Sequence, residues 1–385
     1  MKREHLVGPV RARLKRYPPP MDDHYGVVPL PPTEELIPLK QAEPAHRDAL
    51  SAIGRADALA KAAPDHFLLS RILVRQEAVT SSAIEGTNST LDALLESEAD
   101  PEHDTRDDET EQVKSYALTL ERHLGNVERN HHDAFSVALL RDLQRDVVKG
   151  DKAYKGTPGR IRQHVVYIGT GDISRSAYNP TPPADIQKCL KAQIDYLHCD
   201  GLQQLHQSII VRMAIAHAHF EAIHPFPDGN GRVGRLLLPL MLAADGHTPL
   251  YIAPYLAERR ADYVVGLKEA QQRLNYVPLI EAFSQAIIAS VARAERAHED
   301  LTELQARWRK LKKWRRASSA ERAFALLPAW PVVTRKSLAQ SLRVSEHAAG
   351  DAIAMLVDVG VLQERTGYRR NRMFTAPDVL NIFRT

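Results

Sequence analysis

Twelve residues constrain this chain more than all the others: His224 to Arg235 read H-P-F-P-D-G-N-G-R-V-G-R. His224 can take up a proton near neutral pH. Asp228 can hold a hard cation such as Mg²⁺ through oxygen. Gly229, Gly231 and Gly234 allow the backbone to come close to a ligand. Arg232 and Arg235 can pair with phosphate oxygens in two-point fashion. The apolar run from Val233 to Leu242 reads as a helix. The glycine-rich turn then lies at a helix N-terminus, where free N–H groups and the dipole favour an anion. A D-G-N-G turn by itself is common punctuation. A solvated turn, however, has no need of His224, Arg232 and Arg235. A base, a metal carboxylate and a phosphate cradle in one segment describe phosphoryl or nucleotidyl transfer.

The run resembles, at every defining position, the Fic motif H-P-F-x-D/E-G-N-G-R-x-x-R. Fic proteins are mostly AMP transferases that move AMP from ATP to a protein hydroxyl. The resemblance implies a mainly α fold: a Fic-type helical core with a small β-hairpin flap. It implies that His224 is the general base for the target hydroxyl and that Asp228 holds Mg²⁺ between the α- and β-phosphates. Asn230 and the turn N–H groups around Gly229 and Gly231 steady the α-phosphate, and Arg232 meets the β-phosphate. Arg235 meets the γ-phosphate or pairs with Glu85.

Glu85 belongs to a second run, Ser81-Ser-Ala-Ile-Glu85-Gly86. It matches the family's inhibitory pattern S/T-x-x-x-E-G/N and precedes the core, as in the class II arrangement. Read alone, the run is a helix end closed by Gly86. Between the two motifs, P-G-R-I-R-Q-H-V-V-Y-I-G at 158–169 resembles the family's flap. The β-branched and aromatic residues there predict a β-hairpin within 153–185. By resemblance, Val165, Val166, Tyr167 and Ile168 hold the target backbone by strand addition. After the core motif, the region of Tyr263, Leu267 and Leu274 walls the adenine pocket in the family, often with two adjacent tyrosines; this chain has Tyr263 followed by Val264.

Length allows two or three domains at 385 residues, and an apolar share of 44% supports a packed core. No stretch reaches the length of uncharged apolar residues that a membrane span needs. The basic N-terminal stretch lacks the apolar region of a secretory signal. The two cysteines, Cys189 and Cys199, have no zinc-site spacing, which points to a reducing cytoplasm. A net charge of +3 is too small to argue a nucleic-acid partner.

Four regions follow. Residues 1–110 hold a Pro-rich arm, extended over the surface or loose, and a helical region with the inhibitory motif. Residues 111–290 are the catalytic core, and 291–316 a linker helix. Residues 317–385 resemble a winged helix. Leu205, Ile209, Met213, Ala216, Phe220 and Ile223 predict an amphipathic helix running into His224. His217 lies on its apolar face and reads as a core histidine with an internal partner. His219 points elsewhere, so the two cannot share a metal. Seven of the ten residues from Arg307 to Arg316 are Lys or Arg, and with Trp308 and Trp314 they read as a solvated helix with an inward tryptophan stripe. In the C-terminal region the helix from Glu346 carries Asp351 and Asp358 but no Lys, Arg, Asn or Gln, poor chemistry for a DNA groove. Arg365, Arg369, Arg370 and Arg372 leave DNA contact open, yet a docking or dimerisation module fits better.

The expected partners are therefore ATP, Mg²⁺ and a hydroxyl-bearing protein, the chain itself included. Three rivals stand beside AMP transfer. A Fic-fold kinase carries Lys where this chain has Gly231. A de-AMPylase would use Glu85 to position water. A winged-helix regulator would carry a vestigial core.

Overall fold

The Pro-rich arm is fastened down. A computed structural model, describing residues 1–62, 66–100, 108–169, 171–365 and 372–384, shows a short helix α1 (Gly8–Arg11) and paired antiparallel strands β1 (Leu14–Arg16) and β2 (Tyr25–Val27). Leu6, Val10, Tyr17 and Val27 are buried, and the Tyr17 hydroxyl donates to the Pro180 carbonyl at 2.6 Å. Apolar side chains spaced between the prolines thus hold the arm to the core.

Helices α2 (Glu43–Ala62), α3 (His66–Ile84), α4 (Leu91–Ala99), α5 (Asp108–Asn130) and α6 (Val137–Val147) follow. Side-chain oxygens start several of them: Thr90 accepts from the Ala93 N–H and Ser136 from the Leu139 N–H. The core continues through α7 (Ile186–His198), α8 (Gln203–His206), α9 (Ile209–Ile223), α10 (Asn230–Ala244), α11 (Ala253–Glu258) and α12 (Arg260–Arg273).

Helix α9 departs from the sequence reading. Every residue from Ile209 to Ile223 is buried, so the helix is central rather than amphipathic. It packs against α7, α10, α12 and α13 (Val277–Lys310). Leu205, counted in the stripe, lies in α8 and is exposed. The histidines of α9 find internal partners: His217 Nδ1 meets the Gly234 carbonyl at 3.1 Å and His219 Nδ1 meets Gln193 Oε1 at 2.7 Å.

The expected linker helix at 291–316 is the second half of α13, a 34-residue helix that ends at Lys310. By length and composition α13 could cross a membrane. In the fold, Leu279, Ile280, Phe283, Ile287 and Val291 on this helix enter the main core. Leu301, Leu304 and Trp308 enter a second core with the C-terminal elements. Leu311 is exposed, and Trp314 meets the Phe324 ring edge-on at 4.4 Å.

The C-terminal elements run α14 (Ser319–Leu326), β3 (Val332–Thr334), α15 (Arg335–Leu342), α16 (Glu346–Asp358), β4 (Gln363–Glu364), β5 (Met373–Thr375) and α17 (Pro377–Arg384). The strands form an antiparallel sheet in the order β3-β5-β4. Ser345 caps α16, and Thr334 and Ser337 close a capping box on α15. The expected turn around Thr366, with Arg369 and Arg370, lies outside the described residues.

The expected hairpin at 153–185 does not form as two regular strands. One antiparallel bridge, Ile168 to Tyr178, closes the segment, with the Ile168 N–H donating to the Tyr178 carbonyl at 2.9 Å. Val165, Val166 and Tyr167 have strand-forming side chains but stand outside any ladder. Propensity alone does not make a strand without a partner.

Candidate active site

Two left-handed residues frame the loop between α9 and α10. His224 closes α9 at φ 50°, and Gly229 precedes α10 at φ 80°. Between them Phe226 is buried, and the Asn230 amide clasps it. The Phe226 N–H donates to Asn230 Oδ1 at 2.9 Å, and Asn230 Nδ2 donates to the Phe226 carbonyl at 2.8 Å. The side chain of Asn230 is thus committed to the loop's shape. The first helical bond of α10 runs from the Val233 N–H to the Gly229 carbonyl at 3.0 Å. The N–H groups of Asn230, Gly231 and Arg232 therefore precede the helical ladder and have no helical acceptor. They make a built anion site at the N-terminus of α10.

Charged side chains surround that terminus. Arg232 is buried, reaches Gln112 Oε1 at 3.4 Å, and leaves its Nε without a partner among the described residues. Asp228 is exposed at the rim, with one carboxylate oxygen accepting from the Gly229 N–H. A single carboxylate beside a phosphate cradle suits Mg²⁺, which takes one or two protein oxygens and completes its shell with phosphate and water. The residues present therefore fit a metal brought in with a nucleotide. His224 is partly exposed beside this cradle.

Arg235 lies on the inner side of α10 and is buried. Its Nε donates to Ser81 Oγ at 2.8 Å. Its Nη2 donates to the Ser81 carbonyl at 2.9 Å and to Glu85 Oε1 at 2.7 Å. Burial works against the guanidinium charge, but Glu85, Tyr263 and Tyr116 together outweigh it and raise the pKa. The Ser81–Gly86 run is thus the end of α3, turned by Gly86 at φ 96° and aimed at the core motif. A Cβ on Gly231 would strike Glu85 Oε1. The carboxylate therefore lies directly over the backbone of the anion site.

Tyr263 is buried and its hydroxyl meets His217 Nε2 at 2.7 Å. It supports the α9–α12 contact behind Arg235. Gly234 also faces inward: a Cβ there would lie 2.5 Å from Glu221 Oε1 and 3.1 Å from the His217 ring. Its role is packing between α9 and α10 rather than approach to a ligand.

Two residues escaped the sequence reading. Arg162 is buried and spends its guanidinium on backbone oxygens: Nε on His224 at 2.7 Å, Nη1 on His164 at 3.0 Å and Nη2 on Thr181 at 2.6 Å. Burial pushes its pKa down to about 10. It ties the start of the 158–169 segment to the loop between α9 and α10. Glu221, one turn before His224, is buried with Oε2 3.5 Å from His224 Nδ1. The only hint of either was position: Arg162 inside the flap-like run and Glu221 three residues before the histidine.

Two segments of the chain match models of one protein family. The Fic/DOC family N-terminal model matches residues 44–123 and the Fic/DOC family model matches residues 134–242. Over 139 residues the chain is 32% identical to protein adenylyltransferase fic-1 of Caenorhabditis elegans, a match covering 36% of this chain and 25% of that protein. Over 229 residues it is 28% identical to protein adenylyltransferase Fic of Drosophila erecta, covering 59% of this chain and 42% of that protein. The matches thus span less than half the length of either relative. A solved Fic family protein from Desulfovibrio desulfuricans G20 shares the fold at a TM-score of 0.53 and 20% identity, over 90% of this chain and 98% of that one. A Fic-1 fragment from C. elegans shares it at 0.51 and 24%, over 68% and 73%. The chain belongs to the Fic/DOC family.

Proposed function

We propose that this Fic/DOC family protein transfers AMP from ATP to a hydroxyl side chain of a protein, its own chain included. The observation that carries this reading is the free N-terminus of α10, set between His224 and the buried Arg232 and Arg235. That arrangement suits a polyphosphate whose α-phosphorus lies near a base. His224 takes the proton of the incoming hydroxyl. The hydroxyl oxygen bonds to the α-phosphorus, the bond to the bridging oxygen of the β-phosphate breaks, and pyrophosphate leaves. The N–H groups of Asn230, Gly231 and Arg232 oppose the negative charge that grows on the α-phosphate oxygens. Mg²⁺ held at Asp228 would supply further charge neutralisation on the phosphates. Arg232 serves the β-phosphate and Arg235 the γ-phosphate.

Glu85 is the brake in this reading. Its carboxylate occupies Arg235 and overhangs Gly231. ATP entering beside it binds with the γ-phosphate displaced and the α-phosphate out of line. The segment Val165–Ile168, whose first three residues stand outside any ladder, offers the target segment a strand edge. The C-terminal order helix–strand–helix–helix–strand–strand supports a winged helix, used here for docking.

Labelled ATP tests the reading. Label at the α-phosphate should mark protein and label at the γ-phosphate should not; γ-label on protein means a kinase. His224→Ala should lower transfer by about 10² to 10⁴ while ATP binding persists. Free AMP released from AMP-modified protein, with no transfer from ATP, would favour the hydrolytic reading in which Glu85 positions water.

A further inference from the structure

We infer that Glu221 is the positioning residue of His224: its carboxylate receives the imidazole Nδ1–H, so that Nε2 faces the incoming hydroxyl as the basic nitrogen. The inference rests on the AMP-transfer reading of the site and adds to it a residue outside the core motif.

Glu221 is a carboxylate where the fold has no structural use for one. It is 6% exposed on a helix whose other buried polar side chains Arg212, His217 and His219 each have at least one internal partner. Its Oε1 and the Nδ1 of His224 are both buried and without a hydrogen-bond partner among the described residues. Buried polar atoms left unsatisfied are costly, and the group nearest to the unpartnered Nδ1 that can accept its proton is this carboxylate. Oε2 stands 3.5 Å from Nδ1. That is at the outer limit of a hydrogen bond, and such contacts often tighten only when substrate is bound.

Local geometry allows that tightening. Glu221 is three residues before His224, the spacing that puts two side chains on one helix face. His224 is left-handed, which swings its ring back over the last turn of α9. Arg162 holds the His224 carbonyl from the other side at 2.7 Å, so the backbone is fixed and only the ring is left to orient. Gly234 on α10 leaves the room: a Cβ there would come within 2.5 Å of Glu221 Oε1. Burial pushes the Glu221 carboxyl pKa up, but His224, His217 and Arg235 together bring it below the ordinary range, so the group stays charged.

The chemistry follows. An imidazole has one donor and one acceptor nitrogen, and the partner of one nitrogen decides the state of the other. With Nδ1–H given to Glu221, Nε2 is the free base. When the target hydroxyl yields its proton to Nε2, the ring becomes a cation and the carboxylate stabilises it. Glu221 keeps its charge throughout and touches no substrate atom. The proton stays on His224 until it is released to solvent. The titratable and charged groups that face the pair are His217 on α9, Arg235 on α10 and Tyr263 on α12, with Arg162 at the backbone.

The test uses the full chain with Glu221→Gln, which preserves shape, and Glu221→Asp, which preserves charge. AMP transfer is measured at saturating and limiting ATP, and the nitrogen that carries the proton of the neutral His224 ring is identified by NMR. The Gln variant should lose at least about tenfold in kcat with an unchanged KM for ATP, since a misplaced or wrong-tautomer base costs rate rather than binding. Its His224 ring should lose the preference for a proton on Nδ1, because an amide can face that nitrogen with a donor as well as an acceptor. The Asp variant should recover part of the rate and the Nδ1–H tautomer. A wild-type ring with its proton on Nε2 overturns the inference. So does a raised KM with an unchanged kcat in the Gln variant, which would mark Glu221 as structural. The NMR arm needs no turnover. If the wild-type chain transfers no AMP, the functional reading fails while the Glu221–His224 pairing is still decided.

Discussion

Helix α3 takes part in two arginine–carboxylate sites whose surroundings are opposite. Along its first half, Arg71 and Arg75 close on Glu98 of α4, with the three side chains 6%, 3% and 8% exposed. Arg75 also reaches Glu121 of α5. At its far end, Glu85 reaches Arg235; the arginine is 2% exposed but the carboxylate is 40% exposed. At the first site Arg71, Arg75 and Glu98 have left water, while Glu121 at its edge is 37% exposed. Burial alone would raise the Glu98 carboxyl, and the two arginines hold it below the ordinary range. Such a contact can be undone only by stranding a buried charge. At the second site the cation is buried and the anion has water on one side. If Glu85 leaves, Arg235 keeps Ser81 and faces a space that another anion can fill. The sealed site fastens, and the half-open site can exchange. The C-terminal elements grip the fastened half. Arg71 Nη1 donates to the Ala329 carbonyl at 3.0 Å, its guanidinium lies 3.5 Å over the Trp330 ring, and Gln76 donates to the Phe383 carbonyl at 2.6 Å.

The largest effect should come from the sealed site. Glu98→Gln leaves the buried Arg71 facing a neutral amide and Arg75 with Glu121 alone, and breaking a buried pair costs about 3–5 kcal/mol. Urea unfolding measures it, and a loss below about 1 kcal/mol, the range of an exposed pair, would mean the site is not sealed. Next in size is the change in rate at the half-open site. Glu85→Gly frees Arg235, and correcting a misalignment of about 1 Å is worth about a hundredfold, so self-modification with ATP should rise on that scale. Its unfolding midpoint should stay close to wild type. A fall as large as that of Glu98→Gln would erase the distinction between the sites. Adding Arg235→Ala to Glu85→Gly should remove most of the gain, because the freed arginine is the means of activation. Retained activity in the double variant would show that Glu85 acts by covering Gly231 instead.

How far these sites could be read from sequence depended on where their partners come from. The run from His224 to Arg235 was legible because cradle, base and metal carboxylate are contiguous. Glu85 and Arg235 are 150 residues apart, and only the resemblance of Ser81–Gly86 to an inhibitory run joined them. Arg162 was invisible because its partners are backbone oxygens, which leave no mark on sequence. Glu221 was passed over because counting Met213, Ala216, Phe220 and Ile223 treats the intervening positions as a polar face. Ala214, Ala218 and Ala222 fill that face, and small residues let neighbouring helices close over it. The flap misled in the opposite way. Val165 to Ile168 carry the right side chains for a strand, but a ladder needs a partner, and only Ile168 has one. The sealed site drew no notice at all, since charged residues on a helix read as a solvated face until packing shows which way they point.

The smallest predicted effect lies on α3 between the two sites. Glu77 is buried, accepts from the Ala253 N–H at 2.8 Å, and sits 3.5 Å from the Tyr116 hydroxyl. Burial pushes its pKa up to about 7, against the pull of the Ala253 N–H, Arg235 and Tyr116. Unlike Glu98 it forms no ion pair among the described residues, and unlike Glu85 it is only 1% exposed. An unfolded glutamate titrates near the ordinary value of about 4.3. The folded pKa is the higher of the two, so the folded chain binds the extra proton. Its contribution to stability is full below about pH 4 and is lost as pH rises through about 7. Wild type should therefore lose up to about 2 kcal/mol between pH 5.5 and pH 8 from this group alone, roughly one and a half pKa units' worth. Glu77→Gln should flatten that slope, because a neutral amide has nothing to ionise. Glu98 gives the contrasting sign: its depressed pKa contributes stability above about pH 4 that is lost only on further acidification. Urea midpoints of wild type and Glu77→Gln at pH 5.5, 7 and 8 decide it. Parallel curves would mean that Glu77 is ionised in the fold across this range, and that the middle of α3 behaves like its sealed half.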